Sequence, residues 1–199
     1  SELGIGRFPV TTRDEAKVMV DKCIRFMSQS NAGAWKNLIV MMGDDGDGNG
    51  HMEDADEVAN RVRQANPAME VHKVYWDAYQ RVSTIKSNTY PDATKLLRQQ
   101  MQDGALVMNY TGHGAPYTLS HEFVLQTEDF AGTRGTNLPL WVTAACDVMP
   151  FDGQAINIGE QAVLNPQGGA LAFYGTTRTV FSSQNLRMNR FLMDYLFAF

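Results

Sequence analysis

The stretch GALVMNYTGHG, residues 104–114, decides the fold. It opens on a glycine, continues through an apolar segment of strand length and ends at a histidine held between two glycines. A strand that is apolar throughout, instead of alternating, is typical of a parallel sheet covered by helices on both sides. The stretch therefore predicts a buried strand of an α/β protein, with His113 leaving the core at the strand's carboxyl end.

Similar apolar runs and helical patterns alternate along the rest of the chain. Strands are predicted at 3–10, 37–43, 69–76, 104–111, 138–146 and 168–175. Thr12 and Glu15 form a capping box that predicts a first helix, with an inward face of Ala16, Met19, Val20, Cys23, Ile24 and Met27. Further helices are predicted at 53–67, 91–104, 156–166 and 184–197. The alternation predicts a three-layer α/β/α sandwich with a mostly parallel central sheet.

Length and composition narrow the class of protein. The 199 residues suit one domain, 1–199, and we expect it to be a piece of a longer chain. The net charge of −5 gives no basic surface for nucleic acid, so no nucleic-acid partner is expected. No apolar run reaches the roughly 18 residues that span a bilayer. Two cysteines are too few for a disulfide framework.

Three predicted strands end in residues that carry chemistry. The run at 37–43 leads into Asp44 and Asp45, the run at 104–111 leads to His113, and the run at 138–146 ends at Cys146. Open α/β sheets bind ligands beyond the carboxyl ends of their strands, so these side chains are expected at one edge. A thiol, an imidazole and a carboxylate together are the parts of a Cys-His-acid hydrolase.

Each part has a defined task in acyl transfer. A thiol with a pKa of about 8.5 is mostly protonated at neutral pH, so it needs a base such as His113 to become a nucleophile. Gly114 permits close approach of a peptide, and its N–H with that of Cys146 is the predicted oxyanion hole. The alternatives are a buried structural thiol at Cys146, as predicted for Cys23, and a simple turn role for His113. The other histidines, His51, His72 and His121, are interpreted as surface or packing residues.

Three segments carry a resemblance to a known family. TGHG (111–114), WVTAACDV (141–148) and NPQGGALAFYGTTRTVF (165–181) resemble the gingipain family of cysteine peptidases, which have a caspase-like fold, and most resemble its PorU-type sortases of the type IX secretion system. The resemblance implies Cys146 as nucleophile, His113 as general acid/base, and Gly114 with Cys146 as oxyanion donors. It also implies Asp44 as the acidic member, with Asp45 as a rival, and Phe181 as an aromatic wall of the substrate pocket.

The same resemblance implies a biological role. A sortase of this type cleaves the C-terminal sorting domain from secreted proteins and can transfer the acyl group to an amine of a surface glycolipid. Its partners would be protein substrates and other type IX secretion components, and its place the cell surface or outer membrane, on the extracellular side. No cofactor takes part in the chemistry. The alternative is a catalytically inactive caspase-like scaffold or binding module of a secretion complex.

An acidic, glycine-rich loop suggests a cation site. In the segment 45–56, Asp45, Asp47 and Asn49 occupy positions 1, 3 and 5 of a calcium loop, Gly50 position 6 and Asp56 position 12. Position 12 usually holds glutamate, and a strand instead of a helix precedes the loop. Two interpretations therefore stay open, namely a structural Ca²⁺ site or an acidic turn at the start of the next helix.

Overall fold

The structure is a computed structural model that describes residues 5–28, 33–85, 87–153 and 155–197. Its α-helices are α1 (Arg13–Ser28), α2 (Gly50–Ala65), α3 (Pro91–Asp103), α4 (Thr127–Gly132), α5 (Ile158–Leu164) and α6 (Ser182–Phe197). The strands are β1 (Leu38–Gly43), β2 (Glu70–Tyr75), β3 (Val82–Ser83), β4 (Asn88–Thr89), β5 (Val107–Thr111), β6 (Gly114–Ala115), β7 (Thr118–Leu119), β8 (Leu125–Gln126), β9 (Leu140–Ala144) and β10 (Ala172–Tyr174).

Five strands form the central sheet, in the order β10-β9-β5-β1-β2. Every neighbouring pair in this sheet is parallel. The apolar run 104–111 contains β5, the middle strand, and all five residues of this strand are buried. A strand with neighbours on both sides and helices on both faces has no solvent-facing side, which explains its unbroken apolar pattern.

Helices cover both faces of the sheet. On one face, α1, α3, α4 and α5 pack on a core that includes Trp141 and Met108. On the other face, α2 and α6 pack on a core that includes Ile39 and Met41. The predicted three-layer α/β/α sandwich with a mostly parallel sheet is therefore confirmed.

The amino-terminal segment differs from the prediction. Residues 5–10 form no strand, whereas residues 3 and 4 of that predicted strand lie outside the described residues. The predicted inward face of α1 is confirmed at Met19, which is buried, but is wrong at Val20, Ile24 and Met27, which are 45%, 55% and 76% exposed. The helix faces the core with Met19 and the charged Lys22.

Lys22 is a buried cation that joins α1 to the end of α5. Only 2% of the residue is exposed. Its ammonium group donates to four main-chain carbonyls, those of Ala162, Val163, Asn165 and Gly168. These acceptors include carbonyls of the last turn of α5 that have no partner within the helix, so the lysine satisfies them. Burial lowers the pKa of Lys22 to about 8.

The two long segments between predicted elements, 77–90 and 112–137, contain local structure. Within 77–90, β3 and β4 form a hairpin. Within 112–137, β6, β7 and β8 form a small antiparallel sheet that leads into α4. Because this small sheet begins at Gly114, it holds the chain directly after His113 at the carboxyl edge of the central sheet. Among the described helices, none combines the length and apolar character that crossing a bilayer requires.

Candidate active site

The registers of the central sheet bring the three predicted strand ends together. Thr111 at the end of β5 pairs with Ala144 at the end of β9, so His113 and Cys146 each lie two residues beyond the same pair. On the other side of β5, Gly43 of β1 pairs with Thr111, which places Asp44 one residue beyond that pair. Neighbouring strands are about 4.8 Å apart, so the three residues meet at one edge.

The Cys146 thiol lies against the main chain of Val180. The N–H of Val180 lies 3.5 Å from Sγ, and the Val180 carbonyl oxygen lies at the same distance. An N–H directed at sulfur stabilises negative charge there. The thiol is partly exposed, as a nucleophile must be. The next residue, Asp147, has a φ of 48°, a left-handed conformation that costs energy for a residue with a side chain and that recurs at functional sites.

The main chain of His113 is fixed by two buried side chains. The Asp44 carboxylate is completely buried and accepts from the His113 N–H at 2.7 Å and from the Gly46 N–H at 3.0 Å. The Tyr110 hydroxyl lies 2.7 Å from the His113 carbonyl oxygen and 3.1 Å from Asp44 Oδ2. Burial, followed by the charge of Asp44, raises the pKa of Tyr110 well above its usual value, so the hydroxyl stays a donor.

Three side chains surround the imidazole of His113. His121 stacks on it with ring centroids 4.1 Å apart and planes at 12°. His51 meets it edge-on, with centroids 4.9 Å apart. Asp47 Oδ1 lies 3.6 Å from Nε2. His51 and His121, predicted to be surface or packing residues, are thus ring neighbours of His113. Helical spacing could not have linked Asp47 to His51, because Asp47 precedes α2 and has a φ of 55°.

The structure separates the two rival acidic residues. Asp44 contacts the main chain of His113, whereas the carboxylate of Asp45 accepts from the Tyr90 hydroxyl. Of the two, Asp44 is therefore the carboxylate that the fold brings to His113. Its contact is with the peptide N–H, and the carboxylate that faces the ring nitrogen Nε2 belongs to Asp47.

Two glycines permit the close approach of the three strand ends. A Cβ on Gly112 would lie 2.3 Å from the Tyr110 hydroxyl and 2.6 Å from Asp44 Oδ2. A Cβ on Gly114 would lie 2.8 Å from the Cys146 carbonyl oxygen and 2.7 Å from Val148 Cγ1. A side chain at either position therefore requires the neighbouring strand ends to move apart. Gly114 and Cys146, the predicted oxyanion donors, thus lie with their main chains in contact.

Phe181 lies beside the thiol's main-chain partner. It follows Val180 directly and precedes α6, and its carbonyl accepts from the N–H groups of Gln184 and Asn185. The residue is 75% exposed. An exposed aromatic ring next to the predicted nucleophile can form an apolar wall for a bound side chain.

The residues of the predicted calcium loop have separate contacts. Asp45 is bonded to Tyr90, and Asp47 lies near His51 and His113. Asp56 lies on α2, where its carboxylate pairs with Lys73 and accepts from Tyr75 and Asn60. The hydrogen bond from Lys73, ahead of those from Tyr75 and Asn60, lowers the pKa of Asp56. Asn49 has a left-handed backbone, with a φ of 72°. Calcium binding by these four residues, which stays a prediction, would require the Asp56 contacts to rearrange.

Comparisons with known proteins agree with this architecture. Two solved structures are similar over nearly the whole chain. The first is the Arg-specific cysteine proteinase gingipain R (RgpB), with a TM-score of 0.77, 17% identity and coverage of 96% of this chain and 44% of that one. The second is a complex of the pro- and mature domains of Porphyromonas gingivalis RgpB, with a TM-score of 0.73 and 18% identity. The match covers 98% of this chain and 45% of that one.

The chain thus spans less than half the length of these solved structures. The likeness shows that the two share a caspase-like fold with this chain. No curated protein matches the sequence. The model of peptidase family C25 matches residues 1–199, which is the whole chain. The chain therefore belongs to peptidase family C25.

Proposed function

We propose that this chain is the catalytic region of a cysteine endopeptidase that forms a thioester with its protein substrate. The observation that carries the proposal is the shared register of β5 and β9, which puts His113 and Cys146 at equal distances beyond one residue pair. Membership of a peptidase family supports the same conclusion. The partly exposed thiol, with main-chain groups of Val180 around it, supports the choice of Cys146 as nucleophile.

In the proposed reaction, groups of this chain supply the nucleophile, the general acid/base and the oxyanion donors, and the final acceptor comes from outside. His113 accepts the thiol proton as Sγ of Cys146 attacks the carbonyl carbon of the scissile peptide bond. The N–H groups of Gly114 and Cys146 donate to the oxyanion that forms. When this intermediate collapses, the C–N bond breaks, His113 gives its proton to the departing amine, and the acyl group stays on sulfur. Water or an amine then attacks the thioester and releases the thiol.

Asp44 acts as a positioning residue in this proposal. Its carboxylate holds the His113 peptide N–H, and the Tyr110 hydroxyl binds the His113 carbonyl. These contacts fix the backbone from which the imidazole projects, so the ring returns to one place in each turnover. Phe181 is proposed as a wall of the substrate pocket, on the strength of its exposure beside Val180.

The finer proposal is a sortase. The PorU-like sequence blocks support cleavage of C-terminal sorting domains from secreted proteins, with an amine of a surface glycolipid as the acceptor. Other secretion components as partners, and a place on the outside of the outer membrane, belong to the same proposal. An amine acceptor requires only a different nucleophile at the thioester, since the first half of the reaction is unchanged.

Thiol reactivity provides the first test. Cys146 and Cys23 are both free and both partly exposed, so exposure alone gives them comparable rates with iodoacetamide. We expect Cys146 to react at least tenfold faster, and we expect His113→Ala to remove the difference. Equal rates for the two cysteines in the folded protein would contradict the enzyme proposal and favour the inactive scaffold.

Mass spectrometry of processed cargo tests the finer proposal. The cargo is compared after exposure to the full-length protein and to its Cys146→Ala variant. Cleavage by the wild type alone supports the peptidase. A new C-terminus with the added mass of an amine compound supports transfer, whereas a free carboxylate indicates hydrolysis and refutes the sortase reaction.

A further inference from the structure

A group of two imidazoles and one carboxylate lies at the edge of the proposed catalytic site. One ligand atom each from Asp47, His51 and His113 lies within 4.8 Å of the others. Asp47 reaches both histidines, with one carboxylate oxygen 3.4 Å from His51 Nε2 and the other 3.6 Å from His113 Nε2. We propose that Asp47, His51 and His113 form a binding site for a divalent transition metal of the zinc type, which controls the proposed peptidase by occupying His113.

The distances fit a small tetrahedral ion. Zinc binds imidazole nitrogen and carboxylate oxygen at about 2.0–2.1 Å, which places neighbouring ligand atoms of a tetrahedron about 3.3 Å apart. The two contacts through Asp47 are within 0.3 Å of that length but use different carboxylate oxygens, so a metal held by one oxygen would draw the two imidazoles closer together. Three protein ligands leave a fourth position for water or another group.

His51 provides a second, independent indication of a ligand. Its side chain is only 10% exposed. Its Nε2 atom is buried and has no hydrogen-bond partner, because the Asp47 oxygen is near but lacks hydrogen-bond geometry. An unpartnered buried nitrogen destabilises the folded protein, and a bound metal would remove that cost. Two carboxylate oxygens lie near this nitrogen, Asp47 Oδ2 at 3.4 Å and Asp44 Oδ1 at 4.0 Å.

The ligand types select the class of metal. Imidazole nitrogens suit zinc and neighbouring transition metals, whereas calcium and magnesium take oxygen ligands. The predicted calcium loop shares only Asp47 with this site, and Asp56 is held elsewhere by Lys73. The structure therefore favours a zinc-type ion at the two histidines over calcium.

Occupation of this site has a direct chemical consequence, which rests on the proposed function. A metal on Nε2 of His113 places positive charge on the ring and opposes protonation of the imidazole. The ring then no longer accepts the proton of Cys146, and acyl transfer stops while the metal is bound. The fold would thus hold a reversible inhibitory site whose ligands include the general base.

Metal binding is measured first, without any need for activity. Zinc titration by calorimetry and Co²⁺ absorption spectra are recorded on the full chain carrying Cys146→Ala, which removes the thiol. We expect His51→Gln and Asp47→Asn each to weaken binding at least tenfold. His72→Gln is the matched control, because His72 is exposed and pairs with Glu70, and its affinity should not change. Calcium should not compete.

Two results would overturn the site. If His51→Gln and Asp47→Asn both bind zinc with the affinity of the parent protein, these two residues are not ligands. Asp47 is 64% exposed, so its substitution should not affect folding, and Asp47→Asn decides alone if the His51 variant does not fold. A Co²⁺ spectrum typical of six oxygen ligands excludes the two imidazoles.

Inhibition is measured second, with Cys146 intact and each variant's rate normalised to its own value without metal. We expect His51→Gln to weaken zinc inhibition by the same factor as zinc binding. Weakened binding with unchanged inhibition would refute the control of His113 while the metal site stands. A protein that binds zinc as expected but never cleaves a peptide would refute the proposed function alone.

Discussion

Asparagine in place of Asp44 separates two roles for the buried carboxylate. In the wild type, Oδ2 accepts from the His113 N–H at 2.7 Å, and Oδ1 accepts from the Gly46 N–H at 3.0 Å. An amide has a single oxygen, so its NH₂ group must face one of these two N–H donors. One buried donor loses its partner, and the remaining bond loses its charge.

The cost follows from these contacts. An unsatisfied buried donor costs about 1–3 kcal/mol, and the loss of charge from the other bond costs about 1 kcal/mol. The Tyr110 hydroxyl adds little, because its hydrogen can turn fully to the His113 carbonyl. We therefore expect Asp44→Asn to lower the free energy of unfolding by about 2–4 kcal/mol. The proposed activity should fall in parallel, because the His113 backbone is no longer held.

Urea unfolding followed by tryptophan fluorescence provides the assay, with the rate of Cys146 alkylation measured on the same samples. Asp45→Asn is the matched control, since its oxygen can still accept from Tyr90, and it should cost less than about 1 kcal/mol. A loss of Cys146 reactivity with less than about 1 kcal/mol of destabilisation in Asp44→Asn would refute a main-chain role. It would instead assign Asp44 to orientation of the imidazole.

Three further outcomes are expected. Gly114→Ala places a Cβ 2.8 Å from the Cys146 carbonyl oxygen, so kcat/KM on a cleaved peptide should fall at least about 100-fold, whereas Gly132→Ala, with open space around its Cβ, should leave it unchanged. Lys22→Met removes the donor of the Val163, Asn165 and Gly168 carbonyls, whereas that of Ala162 keeps the Ala170 N–H, and should lower the free energy of unfolding by about 2–4 kcal/mol in urea at pH 7. Because the pKa of Lys22 is about 8 in the folded state and 10.5 unfolded, the unfolded chain binds more protons between these values, so the stability of the wild type relative to Lys22→Met should rise from pH 8 to 10.5. Millimolar calcium should raise the Tm if the segment 45–56 binds it, and no shift, with magnesium as control, would refute a structural calcium site.

The sequence predicts those residues of the candidate site that lie at the carboxyl ends of strands. The unbroken apolar runs predict parallel strands, and parallel strands place Asp44, His113 and Cys146 at the same edge. The order of the strands is a tertiary property, because nothing in the local pattern of β5 shows that β9 and β1 flank it.

Other features lie outside what periodicity can show. Lys22 is buried although lysine is usually exposed, because carbonyls distant in the sequence surround its ammonium group. His51 belongs to an acidic segment whose composition favours calcium, and only the approach of β5 to the start of α2 gives it His113 as a neighbour. Val180 contacts the thiol through its main-chain N–H and carbonyl oxygen, so the identity of its side chain gives no indication of this contact.

The pairing of Thr111 with Ala144 separates two kinds of evolutionary change. The strand ladder sets the relative position of Thr111 and Ala144, which lie two residues before His113 and Cys146. Insertions and deletions in the exposed turns that follow the small sheet β6–β8 can therefore change the surface around the proposed site while the ends of β5 and β9 keep their register. A single residue inserted within Val107–Thr111 has the opposite effect, since it turns every following side chain to the other face of the sheet.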